Sequence, residues 1–313
     1  MGVVNDQKPS KMRGSLYGIL VTYHRPVELS ETCHQLRASH DRPEHLIVVD
    51  NGHDDKTREI VQESWGSDFE YVAPTENLGP AGGFAVGMRA ALETADDADW
   101  LLMLDDNDPP PTSTSIAELR CFADTAVALE PLTAGVGLGG PRWDPRRGRM
   151  AKIPDEHLHG LVEVEYFGAG RLPMYRAGVI RKEGVAQSEL FFGFEELELA
   201  LRLRRGGYHL YASGAVMRRR RASEPKNWDK PSVALSRSVS WRDWYAIRNF
   251  VYVQKRYGRL GAALRYAVIA GLVKPLLSLP RSPRRAIQHM AQSSRAASDG
   301  FRGRLGRTVD PPY

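Results

Sequence analysis

An apolar run, Leu101 to Leu104, stops at Asp105, Asp106 and Asp108, and Pro109 to Pro111 follow at once. Carboxylates set against buried apolar surface are costly unless something positive neutralises them. The neutralising partner could be a metal ion, a Lys or Arg from elsewhere in the fold, or solvent around an acidic turn. Hard carboxylate oxygens suit Mg2+ or Mn2+ bridging phosphates, which makes Asp105, Asp106 and Asp108 candidate metal ligands. A second acidic group, Glu195 and Glu196, comes directly after "FFGF". A carboxylate held against aromatic side chains has its pKa raised toward the range of a general base. Acids are also favoured in the first turn of a helix, and Glu198, four residues before Arg202, has a plain surface-pair reading.

Three further groups could bind a ligand. Asp50, at the end of "HLIVVD", could accept an N–H from a flat heterocycle such as uracil, or could simply cap the helix that follows. Gly79, Gly82 and Gly83 in "NLGPAGGFAVG" let backbone amides approach an anion at a helix N-terminus. Their spacing is neither the dinucleotide fingerprint nor a Walker loop, and tight chain geometry is the alternative. The run "RRRR", Arg218 to Arg221, could neutralise a diphosphate or be a solvated basic patch.

These residues need a scaffold, and the hydropathy pattern supplies one. Apolar strand candidates at Leu16–Tyr23, His45–Asn51, "EYVAP" and Asp99–Leu104 alternate with helical stretches after Pro26, at "DDKTREIVQESW" and after the glycine-rich loop. That alternation predicts an α/β fold with a mostly parallel sheet. Ligands of such sheets bind at the strands' carboxyl ends, where Thr22 to Arg25, Asp50 and Asn51, Asn77 to Gly83, and Asp105 to Asp108 all fall. From about Gly135 the pattern breaks into short strands, followed by the helix "EELELALRLRRGG"; beyond Arg237 it is predominantly helical.

The bulk numbers fit a globular chain: 313 residues, 42% hydrophobic and 26% charged, with 43 basic against 38 acidic side chains. Two cysteines, Cys33 and Cys121, build no disulfide framework and no zinc pair, so a reducing cytoplasm is expected. The polar first fifteen residues lack the apolar core of a signal peptide. The run Tyr266–Val273, bounded by Arg265 and Lys274, is too short to span a bilayer, which predicts a protein that is not integral to the membrane.

Taken in order, "VTYHRP", "HLIVVDNG", "NLGPAGGFAVGMRAAL", "DWLLMLDDND", "LFFGFEELELALRLRRGGY", "YAIRNFVYV" and "DGFRGRLGR" resemble glycosyltransferase family 2, in its actinobacterial galactofuranosyl- and rhamnosyltransferase branch. The resemblance covers roughly residues 16 to 306 and implies a GT-A fold, Rossmann-like, with a helical C-terminal extension. It implies a flexible segment 1–15, a catalytic domain 16–235 and a helical region 236–313 contacting acceptor or membrane surface. By the same resemblance, Asp50 holds the base with Thr22 and Arg25 lining its pocket, and Asn77, Gly79 and Gly83 lie along the nucleotide sugar and diphosphate. Asp105 and Asp106 match the acidic signature that binds cation and donor sugar, Glu196 stands at the general base and Glu195 is its acidic neighbour. There are two departures. Asn107 replaces a third aspartate, leaving Asp108 as a substitute ligand, and Arg218 falls where relatives often carry a metal-binding histidine. That arginine would instead clamp the departing diphosphate.

The expected reaction is an inverting transfer from a nucleotide sugar, UDP-galactofuranose or dTDP-rhamnose, to an acceptor hydroxyl, with a Mg2+ or Mn2+ requirement left open by the missing histidine. The acceptor is a lipid-linked cell-envelope glycan or a small molecule, and nucleic acid is not an expected partner. The basic C-terminal helices suit peripheral contact with the inner face of a plasma membrane. Two alternatives stand. A nucleotidyltransferase would need a basic glycine-rich signature that "LVTYHRPVEL" lacks, and a non-catalytic sugar-nucleotide binder would explain Asn107 and the missing histidine.

Overall fold

The computed structural model describes residues 13–144, 149–168, 170–223, 240–280 and 282–310. Most of the expected flexible N-terminus and the expected boundary at 235/236 lie outside those residues. The first half alternates as the hydropathy pattern predicts. It runs β1 (Leu16–Thr22), α1 (Pro26–Arg37), β2 (His45–Asp50), α2 (Asp55–Trp65), β3 (Glu70–Val72), α3 (Gly79–Thr94) and β4 (Trp100–Asp105). Next come α4 (Ser115–Leu129), β5 (Thr133–Gly137), a small hairpin of β6 (Arg142–Asp144) and β7 (Arg149–Ala151), and β8 (Leu161–Glu163). Then follow β9 (Met174–Arg176), α5 (Ala177–Glu183), α6 (Glu195–Arg205), β10 (His209–Ser213) and α7 (Gly214–Ser223).

The eight-stranded sheet has the order β3-β2-β1-β4-β9-β5-β10-β8. β3, β2, β1 and β4 are parallel, while β9 runs antiparallel between β4 and β5. β1 is buried at every position because the sheet is covered on both faces, as mostly parallel sheets are. Successive side chains alternate between two cores. Ile19, Val21, Val49 and Met103 pack with Phe84 and Met88 of α3. Leu16, Leu20, Val48 and Leu102 pack with Leu29, Leu36 and Trp65 of α1 and α2. This two-sided burial fixes the strand ends that carry Thr22, Asp50 and Asp105.

The C-terminal region is helical: α8 (Trp241–Arg256), α9 (Leu260–Val268), a π turn (Ile269–Val273), α10 (Lys274–Ser278) and α11 (Pro283–Arg302). α8 starts on a capping box in which Ser240 Oγ accepts from the Asp243 amide at 3.2 Å, and Asp243 accepts from the Ser240 amide at 3.0 Å. It joins the sheet domain through Val253, which packs with Leu190, Leu197 and Leu201. The helix continues through Arg265 and Lys274, so the 18 residues Leu260–Leu277 are long and apolar enough to cross a membrane by length and composition. The sequence expectation stopped at the two charges and missed this.

Candidate active site

Asp105, Asp108, Glu195 and Glu196 line one cleft of about 550 Å3, open mouth included, with Phe84, Met88 and Met103 on its walls. β4 delivers Asp105 at its carboxyl end, and the turn after it brings Asp108. Glu195 and Glu196 open α6 behind a loop with positive φ at Phe191 (61°), Gly193 (78°) and Phe194 (69°). Such backbone is costly for non-glycine residues and persists only when neighbours hold it. No Lys or Arg is among the described lining residues.

The carboxyl groups respond to that. Burial, reinforced by the charges of Asp106 and Asp108, pushes Asp105 up to about 6 against the opposing pull of Arg25. Burial pushes Glu196 up to about 7, with Asp105 adding to the rise. Glu195 is raised well above the usual carboxylate range, by burial first and by Glu196 second. Its Oε2, like the Tyr175 hydroxyl on the same cleft, is buried without a hydrogen-bond partner. Burial thus favours the neutral form of both carboxyls, Glu196 titrating near 7, which suits the pair to acid–base work.

Thr22 and Arg25 gather instead around Asp106. Asp106 does not reach the cleft as an open ligand. Its Oδ2 accepts from Thr22 Oγ1 at 3.0 Å and the Tyr23 amide at 3.3 Å, and its Oδ1 takes Arg25 at 3.0 Å. Its carboxylate is occupied by the protein's own donors, and it does not line the cleft with Asp105 and Asp108. Asp50 is likewise occupied, accepting from the amides of Gly52 (2.8 Å) and Asp54 (3.0 Å) and from the Tyr71 hydroxyl (2.7 Å). Asp50 thus fastens the turn before α2, whose cap is Asp54, accepting from the Lys56 amide at 3.0 Å, and burial combined with the Asp50 carboxylate pushes the Tyr71 hydroxyl up. Asn77 accepts from the Gly79 amide at 2.8 Å. Gly79 and Gly83 serve close approach within the protein. A Cβ on Gly79 (φ 65°) would lie 2.1 Å from the Phe191 carbonyl oxygen, and one on Gly83 would lie 2.6 Å from Val21. The glycine loop thus braces the loop that presents Glu195.

Comparison with known proteins agrees with the order of these elements. Residues 19–119 match glycosyl transferase family 2. The chain is 31% identical over 212 residues to galactofuranosyltransferase GlfT1 of Mycobacterium tuberculosis, covering 63% of this chain and 66% of that protein. It is 33% identical over 204 residues to GlfT1 of Mycolicibacterium smegmatis, covering 60% and 65%. The chain is thus similar to glycosyltransferase family 2 over residues 19–119, about a third of its length. It spans just under two thirds of the length of these curated relatives. A structure of GalNAc-T7 with UDP, GalNAc and Mn2+ superposes with a TM-score of 0.54 over 93% of this chain and 55% of that one. At 11% identity that likeness carries the GT-A fold alone.

The chain holds the loop that leads into Glu195 and Glu196 with residues that the sequence motifs contain but to which they assign no role. Asn249 Nδ2 donates to the carbonyls of Leu190 (2.9 Å), Phe192 (3.0 Å) and Gly193 (2.9 Å). Arg248, fully buried, donates to Leu190 O at 2.9 Å, Gly306 O at 2.6 Å and Asn249 Oδ1 at 2.8 Å, and lies 4.7 Å from the Tyr245 ring centre. Carbonyl dipoles and a ring face stand in for a carboxylate, and burial lowers its pKa to about 10. The available signal was an Arg-Asn pair inside the apolar run "YAIRNFVYV". Glu198 pairs with Arg202 at 3.2 Å as the spacing predicts, but is buried rather than on the surface, and accepts from Tyr257 at 2.7 Å.

Arg218 is exposed beside His159 at 3.4 Å and is not among the residues lining the cleft. Arg220 instead reaches the Gly170 carbonyl at 3.3 Å and acts on the Asp108 charge. Among the described residues no three His, Cys, Asp or Glu side chains could hold a metal by themselves. The donor set that remains, Asp105 and Asp108, fits a hard dication that takes its other ligands from phosphate.

Proposed function

We propose that this chain transfers a sugar from a nucleoside-diphosphate sugar to an acceptor hydroxyl with inversion at the anomeric carbon. One observation carries the reading. Asp105, Asp108, Glu195 and Glu196 share a cleft that no Lys or Arg lines among the described residues, and in it Glu195 Oε2 and the Tyr175 hydroxyl lack partners. Buried polar groups without partners cost stability and point to a ligand that supplies them. Glu196 takes the proton of the acceptor hydroxyl as its oxygen bonds to the anomeric carbon, and the bond from that carbon to the diphosphate breaks. Glu195, protonated, donates a hydrogen bond within the cleft and keeps a second negative charge away from the base. Asp105 and Asp108 would hold a Mg2+ or Mn2+ ion, which when bound offsets charge on the leaving diphosphate. Thr22, Arg25, Asp50 and Asn77 shape the adjoining base and ribose side.

The relatives named galactofuranosyltransferase favour UDP-galactofuranose as donor and a cell-envelope glycan as acceptor. Incubating the chain with UDP-galactofuranose, dTDP-rhamnose, UDP-galactose and GDP-mannose, with Mn2+ or EDTA, and following nucleoside diphosphate release tests this. Release from UDP-galactofuranose above the other donors is expected. Tight donor binding with no release from any of them would make the chain a binding protein.

A further inference from the structure

The segment Leu260–Leu277 is packed the wrong way round for a helix whose only contacts are within this chain. Its small residues, Ala262, Ala263, Ala270 and Gly271, are buried, with Ala263 and Ala270 packing against Ile247 and Val251 of α8 and Ala296 of α11. Its large ones face out: Leu264, Val268, Leu272, Val273, Leu276 and Leu277 are each 41–56% exposed. Four of them follow each other at intervals of four. On a straight α-helix that spacing drifts by about 40° a step. The π turn at Ile269–Val273, wound with more residues per turn, brings the row back to one side. A contiguous apolar row of this length is uncommon on a free surface and marks something that covers it.

The surrounding charge says what. From Trp244 to Ser298 there is no Asp or Glu, while Arg265, Lys274, Arg284 and Arg285 are exposed along this stretch. Asp243, just outside that stretch, acts on Tyr266 and His289, so the balance is an excess of cations rather than cations alone; an apolar row flanked by such an excess is the pattern of a helix lying in a membrane interface. The packing argues against a crossing helix. Pulling this segment into the bilayer would strip Ala263 and Ala270 from α8 and leave Ile247 and Val251 bare. We propose that α9, the π turn and α10 lie flat on an anionic lipid surface, with Leu264, Leu272 and Leu276 inserted and Lys274, Arg284 and Arg285 over the headgroups. This inference is independent of the sugar-transfer reading. The same α8 that receives α9 carries Arg248 and Asn249, so the lipid-facing helices and the loop that leads into Glu195 and Glu196 share one support.

Flotation of the whole chain with phosphatidylcholine vesicles, with and without phosphatidylglycerol, at low and high salt, tests the proposal. Binding is expected only with phosphatidylglycerol, released by high salt and by alkaline carbonate. Leu264→Gln/Leu272→Gln/Leu276→Gln should weaken it more than tenfold, and Arg284→Gln/Arg285→Gln by about 25-fold at low salt, about fivefold per charge. Both variants change exposed side chains and should keep the parent melting temperature; if the leucine variant does not fold, the arginine variant and the lipid dependence still decide. No flotation with anionic vesicles at low salt overturns the proposal, as does binding that the arginine variant leaves unchanged. Retention through carbonate would mean a crossing helix. A dimer in solution that the leucine variant dissolves would assign the row to a second copy of the chain.

Discussion

Asp105 and Asp106 are joined by one peptide bond and live in opposite worlds. Asp106 has Thr22, the Tyr23 amide and Arg25 around its oxygens, and its main-chain oxygen accepts from Thr32 at 2.7 Å. Asp105 faces the cleft, where burial and the neighbouring acids hold it near 6. The protein fills one carboxylate with its own donors and sets the other among acids, with only the longer-range pull of Arg25 against it. In an adjacent acidic pair, function belongs to the member whose partners are missing.

The sharpest way to break that comparison is Glu196→Gln. If Glu196 is the base, transfer should fall on the order of 10^2 to 10^4-fold in kcat with donor binding retained. The same change should stabilise the fold. Burial lifts Glu196 from the usual carboxylate range to about 7, so the folded state prefers the proton and loses stability as pH rises between those values. Removing the charge should therefore raise the melting temperature at pH 8, by roughly 2 kcal/mol of stability, and leave it unchanged at pH 4. In the parent enzyme kcat/KM should climb with pH to a plateau, with an apparent midpoint near 7. A flat pH profile together with unaltered turnover in the variant would remove Glu196 from the mechanism.

Asp105→Asn and Asp106→Ala should then diverge. The first takes a charge from the open cluster and should cost about 100-fold in turnover while the melting temperature holds or rises above pH 6. The second strands Thr22, the Tyr23 amide and Arg25, and should cost about 2–3 kcal/mol of stability, seen as a melting temperature lower by several degrees. Equal loss of stability in both variants would erase the distinction between the clusters.

Asn249→Ala tests the support behind the open cluster. The Phe192 and Gly193 carbonyls of the strained loop lose their side-chain donor, Leu190 keeps only that of Arg248, and Glu195 and Glu196 follow shortly after. Displacement of the base by a fraction of an ångström should lower kcat about tenfold, with donor KM little changed, and kcat should still rise with pH as in the parent. A changed KM with intact kcat would relocate Asn249 to donor binding.

The strands and their carboxyl-end loops were legible because continuous apolar runs between polar turns leave a doubly covered sheet few alternatives. β1, β2 and β4 fall within a residue of their expected bounds. β9 was not legible. Three residues, Met174–Arg176, carry no periodicity, and their antiparallel place beside β4 is set by packing. In the site, residue types pointed to the acids but not to their partners. Whether Asp106 is open or filled depends on Thr22 and Arg25, more than eighty positions away. Glycine type alone did not separate an anion cradle from the close contact of Gly79 with Phe191.

The smallest expected effect concerns Arg218. A run of four arginines suggests one basic patch, but neighbours two apart on a helix point about 200° apart. On α7 the run accordingly splits. Arg218 meets His159, Arg219 pairs with Glu118, Arg220 donates to the Gly170 carbonyl beside the cleft, and Arg221 donates to the Ile153 carbonyl at 2.8 Å. Arg218→Ala should therefore leave kcat/KM within about twofold, whereas Arg220→Ala, which removes a cation acting on Asp108, should cost about five- to tenfold. A large loss in Arg218→Ala with Arg220→Ala unaffected would put the diphosphate on the outer side of α7 and empty the cleft of its assigned leaving group.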